Sequence, residues 1–281
     1  MSRPRPLRAL STWRKLALAA WDAPRDPTAY GMLDLDAEPG LAYVAKVREA
    51  TGVKVTLTHL VGKAVALAIA ERPEVNAYVS GGALVPRETI DVFFQVAFFD
   101  EGDEGGPGAG KANLAGAKVR ACDTLALADV ARELGRRAEA IRKRADAETA
   151  AASRSLARLP GRLLGAATRA GAHLSFDWGL DLSGIGIPRD PFGSCMVTNV
   201  GTFGIPVAWA PLLDMSRSPM CITLGAVRDA PVVKDGAVAV GKRVTVGVAF
   251  DHRVLDGYHA GILAKRFTEV MEHPEGALGA P

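Results

Sequence analysis

The most regular alternation of apolar and polar positions in the chain lies near its C-terminal end. Val244, Val246, Val248 and Phe250 are apolar at every second position, the period of a strand with one face in a core. Asp251, His252 and Arg253 follow in a row. Tyr258–Met271 then reads as a closing helix, with Ile262, Leu263, Phe267 and Val270 on its inner side. Upstream, the spacing predicts a short helix over 11–23, capped by Ser11 or Thr12 and closed by Pro24 and Pro27. Thr28–Leu35 is a candidate strand, Leu41–Glu49 starts a helix that Gly52 breaks, and Val53–Leu57 alternates. Thr58 reads as the N-cap of an apolar helix through Ala70, ended by Pro73. Tyr78–Pro86 and then Ile90–Phe99 read as a hairpin, with Gly81-Gly82 at a turn.

From Thr124 the chain turns helical, with Leu127, Val130, Leu134 and Ile141 at near-helical spacing, and Ala147–Ala152 keeps helix propensity. A second amphipathic stretch carries Leu156, Leu159, Leu163, Ala167 and Ala170 between Arg154, Arg158, Arg162 and Arg169. Such a basic helix can lie on a membrane, but no aromatic anchor sits on its stripe, so it is expected to pack on its own domain. Phe176, Trp178 and Gly184–Pro188 follow as an ordered loop, and Pro206–Pro219 is loop-rich. Residues 220–227, 231–240 and 243–250 read as a β-meander turning at Lys234-Asp235-Gly236.

Composition narrows the classes. With 281 residues and 48% hydrophobic content, the chain can bury the core of one large domain. A net charge of +3 from 34 basic and 31 acidic residues does not argue for nucleic acid. Cys122, Cys195 and Cys221 lack metal-ligand spacing and are odd in number, which suits a reduced interior; no metal site is expected. The apolar run after Lys15 is too short for a signal-peptide core and no stretch approaches a spanning helix, so the expected location is the cytoplasm. Gly105–Lys111 satisfies the glycine and lysine positions of a phosphate-binding loop. Ala112 then stands where a hydroxyl is needed, and Asp100, Glu101, Asp103 and Glu104 precede it, so a solvated loop is expected. His59, in the first turn of a helix, is read as structural rather than as a second imidazole of a site.

The chemistry concentrates where the last strand ends. Imidazole titrates near neutral pH, and His252 is held at a strand's rim with Asp256 and Gly257 at four and five residues beyond it. Asp251-His-Arg-Val-Leu-Asp-Gly257 resembles the His-x-x-x-Asp-Gly signature of dihydrolipoamide acyltransferases, the core subunits of 2-oxoacid dehydrogenase complexes, and of chloramphenicol acetyltransferases. Met196–Gly204 is similar to their Ser/Thr-Asn-x-Gly-x-Phe-Gly run, followed by an apolar strand at Cys221–Gly225. Val55–Val65 looks like the family's long helix, with a gap in the resemblance between about residues 100 and 190.

The resemblance implies an α+β fold, a mixed sheet with flanking helices, of the chloramphenicol-acetyltransferase-like, coenzyme A-dependent kind. It implies a single acyltransferase catalytic domain over 1–281, with a helical elaboration at about 124–175 and no lipoyl or peripheral-subunit-binding domain. Coenzyme A enters as a substrate, nothing is tightly bound, and any lipoyl group arrives on a separate protein. By the same resemblance His252 is the general base, Thr198 the donor to the oxyanion and Asp256 a third catalytic residue. Arg253 and Asp256 hold the loop and imidazole, Asn199, Gly201 and Gly204 shape the backbone around Thr198, and Gly257 permits the tight turn after His252. The residues that bind coenzyme A are not legible. The family assembles as a homotrimer with sites between subunits, and a tail holding only Leu278 as a sizeable apolar residue implies no larger shell. A non-catalytic trimeric scaffold and an acetyltransferase of small hydroxylated molecules stand as alternatives.

Overall fold

One long strand, β9 (Ala237–Asp251), carries most of the architecture. A computed structural model describes residues 26–99, 112–144, 161–181 and 190–281 of the chain. The C-terminal half of β9 is flanked by β1 (Thr28–Asp36) and β7 (Met220–Leu224), both antiparallel to it. Its N-terminal half pairs only with β8 (Arg228–Lys234), through the turn at Asp235-Gly236. The full sheet continues from β7 to β6 (Cys195–Asn199), β4 (Val92–Phe99) and β5 (Ala112–Val119), in the order β1-β9-β7-β6-β4-β5. The β6–β7 and β4–β6 pairs are parallel, so the sheet is mixed.

Helices cover one face. The central one, α2 (Leu57–Ala70), is apolar nearly all round and buried along its length, as a core helix must be. It lies between the sheet and α1 (Glu38–Thr51), α3 (Leu127–Arg144) and α5 (Gly257–Glu272). α4 (Gly161–Ala172) runs beside the Asp214–Ser216 turn and continues into a π-helical turn, His173–Asp177. A short α6 (Pro274–Leu278) folds back on α1, where the Tyr43 hydroxyl donates to the Gly279 carbonyl over 3.1 Å.

Several expectations are corrected. The strand expected at 231–240 and that expected at 243–250 are split differently: β8 ends at Lys234 and β9 runs unbroken from Ala237. The three strands are not a meander, because β7 pairs with β9 and not with β8. Gly81-Gly82, with φ of +55° and +80°, turns a small hairpin of its own, β2 (Ala77–Ser80) with β3 (Ala83–Pro86). β4 pairs instead with β5, a strand the alanine- and glycine-rich sequence does not announce. Thr56, not Thr58, is the N-cap of α2. The stretches 11–23, 105–111, 147–152 and 184–188 lie outside the described residues.

α2 approaches the sheet where Gly62 faces Phe94. A Cβ at Gly62 would stand 2.2 Å from the Phe94 ring, which is itself 1% exposed and cannot move aside. Between the sheet and α5 the packing is looser. A cavity of about 290 Å³ is bounded by Gly31, Val248 and Phe250 on the sheet side and Gly261, Ala264 and Phe267 on the helix.

Gly62→Ala is expected to destabilise the domain by about 3 kcal/mol through overpacking. Gly135→Ala, on the exposed face of α3 where a Cβ meets nothing within 4 Å, should stabilise it by about 0.5–1 kcal/mol. Chemical denaturation of the two variants checks both signs.

Candidate functional site

β9 ends in a turn built around Asp251. Its carboxylate accepts from the Arg253 backbone N–H at 2.9 Å and from the guanidinium twice, Nε at 3.0 Å and Nη2 at 2.7 Å. Its carbonyl accepts from the Val254 and Leu255 amides at 2.9 and 3.0 Å. That fork holds Arg253's own charge more firmly, raising its pKa. Between the two partners His252 is turned outward and exposed, its backbone N–H donating to Pro27 at 2.9 Å. Its ring stacks on Phe250, 6.2 Å between centroids at 29°. Among the described residues no hydrogen bond reaches the imidazole.

Asp256 does other work than expected. It is the N-cap of α5, accepting from the Tyr258 and His259 amides at 2.9 and 3.0 Å and touching the His259 ring at 2.8 Å. Hydrogen bonds from the His259 amide and ring hold its carboxyl below the usual range. The spacing from His252 therefore serves the helix start, and neither Asp256 nor Arg253 is hydrogen-bonded to the imidazole. Gly257 is the first residue of α5, not a left-handed turn.

The second expected block lies elsewhere. Thr198 sits near the end of β6, in register with Thr223 of β7, which in turn faces Gly247 of β9. Its neighbour Asn199 donates from Nδ2 to the Thr58 hydroxyl at 2.8 Å, in the first turn of α2. The Asn199 Oδ1 is buried without a partner. The chain then crosses β7 closely: a Cβ at Gly201 would meet the Gly225 carbonyl at 2.5 Å. Farther on, Ala208 passes over Gly247, where a Cβ would meet the Ala208 oxygen at 2.1 Å, and the Trp209 indole donates to Gly31 at 2.7 Å. Sequence spacing missed these glycine contacts, since only the crossing segment explains them.

His252 and Thr198 are thus not brought together within one chain. His252 stands five residues beyond Gly247, or roughly 17 Å along the strand, with two further strand spacings across to β6. Around the Thr198 end the surface is apolar: Phe203, Ile205, Val207 and Trp209 are all exposed.

His59 is structural. Its Nδ1 accepts from the Thr56 amide at 2.9 Å, completing the capping box of α2. Burial, with Arg48 nearby, pushes its pKa down to about 4. Cys122, Cys195 and Cys221 are free and buried. Burial drives the Cys122 and Cys221 thiols up to about 12 and raises Cys195 as well. Among the described residues no group of three His, Cys, Asp or Glu side chains is placed to hold a metal. No described helix is long and apolar enough to cross a membrane.

A family model described as 2-oxoacid dehydrogenases acyltransferase (catalytic domain) matches residues 21–150 and 192–279. The match runs through α3, beyond the expected break near residue 100, and leaves out 151–191, which includes α4. The chain is 25% identical over 250 residues to the dihydrolipoyllysine-residue succinyltransferase component of the 2-oxoglutarate dehydrogenase complex of Bartonella vinsonii subsp. berkhoffii, covering 88% of this chain and 48% of that protein. It is 34% identical over 86 residues to the acetyltransferase component of the pyruvate dehydrogenase complex of Zymomonas mobilis, 31% of this chain and 19% of that one. The chain spans about half the length of the longer-matching curated relatives. Its fold is shared with a probable dihydrolipoamide acetyltransferase of Listeria monocytogenes at a TM-score of 0.61 and 18% identity, covering 97% and 96% of the two chains. The dihydrolipoamide acetyltransferase of Azotobacter vinelandii matches at a TM-score of 0.61 and 19% identity, covering 90% and 85%.

The capping role of His59 predicts acid lability. An unfolded histidine titrates near pH 6.5, so between about pH 6.5 and 4 the unfolded chain binds the extra proton. Stability is fully present above that window and falls as pH drops through it, by up to about 3 kcal/mol. His59→Gln, which keeps an acceptor at this position, should flatten the melting temperature's pH dependence there. An unchanged slope assigns the lability to another group.

Proposed function

The chain belongs to the 2-oxoacid dehydrogenase acyltransferase family, and we propose that it moves an acyl group between coenzyme A and a dihydrolipoamide-type thiol, in sites assembled between copies of the chain. Coenzyme A is a substrate in this reading, and the lipoyl group is carried by a separate protein. The separation of His252 from Thr198 is the observation that carries it. Two groups roughly 17 Å or more apart cannot act on one thioester, whereas His252 of one copy can meet Thr198 of another. The exposed apolar residues beside Thr198, together with Tyr30, Met32 and the Val233, Val238 and Val240 side of the β8–β9 arm, supply surface for such contacts. A closed homotrimer is the assembly we assign, by analogy with the family.

The chemistry follows from the groups. A free thiol is mostly protonated at neutral pH, and only its thiolate is a good nucleophile. The His252 imidazole takes the thiol proton as sulfur attacks the thioester carbonyl. The tetrahedral oxyanion accepts a hydrogen bond from the Thr198 hydroxyl, which among the described residues has no other partner. Collapse expels the second thiolate, and the imidazolium returns the proton to it. No covalent intermediate on the protein is needed. Asp251 and Arg253 fix the turn that carries His252, and Asn199, anchored on Thr58, fixes the strand end that carries Thr198. In the Azotobacter enzyme a serine, a histidine and an asparagine four residues after it have been probed for their roles in catalysis. This chain offers Thr198, His252 and Asp256 at the matching places, with Asp256 acting on His252 only through the start of α5. Reduced, buried cysteines suit a cytoplasmic setting.

His252→Ala should lower thiol release from acyl-CoA by about 10²–10⁴, and Thr198→Val should lower kcat by about 10²–10³, while Thr198→Ser stays active. The two inactive variants, co-expressed so that their subunits mix, should regain activity, because mixed interfaces contain one intact pair. No recovery places both groups in one chain and ends the shared-site reading.

The tail bears on assembly size. Ala277 and Leu278 pack against the chain's own core, and Lys46 pairs with Glu275. Leu278 is therefore not presented to a neighbouring trimer, and for the closed trimer assigned above light scattering should give a particle near three times 29.5 kDa. A particle of eight or twenty trimers would show that another surface makes the contact.

A further inference from the structure

We propose that the cavity between β1, β9 and α5 is an acyl-chain pocket, which sets this protein's preference toward apolar acyl groups longer than acetyl. The proposal rests on the acyl-transfer reading and deepens it by naming the substrate class. Four observations carry it. Among the described residues, none bounding the cavity has a nitrogen or oxygen in its side chain, so this wall suits hydrocarbon and offers nothing to a succinyl carboxylate. The cavity runs from Val246 to Phe250 along β9, or roughly 13 Å, which fits an extended chain better than a two-carbon group.

Its shape is written into the sequence. Ala260, Gly261 and Ala264 present small side chains on α5 where leucines would close the gap, and a Cβ added at Gly261 or Gly31 meets nothing within 4 Å. Met32, on the edge strand and 54% exposed, marks the open side. Finally, Phe250 is both a wall of the cavity and the residue against which the His252 ring stacks at 6.2 Å. In the proposal, the acyl chain lies in the cavity with its thioester end on the Phe250 side, next to the imidazole.

The test separates the pocket from the chemistry. Binding of acetyl-, succinyl-, butyryl-, hexanoyl- and octanoyl-CoA to the full chain is measured by titration calorimetry, which needs no turnover. Affinity should rise at least tenfold from acetyl to octanoyl, with succinyl no better than acetyl. Gly261→Leu fills the space and is a better helix former, so it should fold and melt higher. In that variant the octanoyl-to-acetyl ratio, in affinity and in kcat/KM, should fall at least tenfold. Ala264→Leu is a second filling variant on the next turn. An affinity indifferent to chain length, or a ratio unmoved in a folded filled variant, overturns the pocket even if acetyl transfer proceeds. A protein that binds octanoyl-CoA tightly and transfers nothing keeps the pocket and loses the catalytic reading.

Discussion

The structure depends on one strand serving two neighbours and two faces at once. β9 is held by β1 on one side and β7 on the other, and its even positions Val244, Val246 and Val248 meet the helical layer. Its odd positions must stay small, because the 205–210 segment crosses that face with the Ala208 carbonyl over Gly247. A larger residue there would lift the crossing segment, release the Trp209 indole from Gly31 and displace the chain that follows Thr198. The position of the hydroxyl therefore depends on a glycine two strand spacings away, and the position of the imidazole depends on the same strand's far end.

That arrangement explains why an isolated chain looks incomplete. Each half of the candidate site is rigid: Asp251 and Arg253 lock the His252 turn, and Asn199 ties the Thr198 end to α2. Rigid halves at opposite ends of a sheet cannot close on each other by a loop movement. In the proposed site they are joined by the packing of one copy against another, which would make catalytic competence and assembly one property. On that reading, dilution below the dissociation constant of the assembly would remove activity without unfolding the chain.

Much of this was legible in the sequence, and the failures have physical causes. The alternation at 244–250 and the apolar stripe of α5 exposed the central strand and its helix, because both bury one face. β5 was invisible: Ala112–Val119 is poor in β-branched residues until its end and is a strand because β4 offers it a pairing edge. The exact division of β8 from β9 was misread, since the arm they form is solvated and has little alternation to anchor it. Asp256 shows the commoner trap. Its spacing from His252 is as expected, but a carboxylate ahead of a helix satisfies the nearest unpaired amides first. The unfilled cavity left no mark in the pattern, because alanine and glycine on a helix face read as ordinary small residues.

The buried cysteines carry a consequence for the proposed reaction, whose substrates are thiols. With pKa values near 12, Cys122 and Cys221 hold only about one thiolate in 10⁵ at neutral pH, and Cys195 is likewise kept protonated. Thiol–disulfide exchange begins with attack by a thiolate on an accessible sulfur, and these three sulfurs offer neither the charge nor the access. On the proposed function, a lipoyl or coenzyme A disulfide reaching the site meets no cysteine thiolate of the protein's own. If the chain moves acyl groups between thiols as proposed, a shift of those substrates to disulfides leaves its own cysteines reduced.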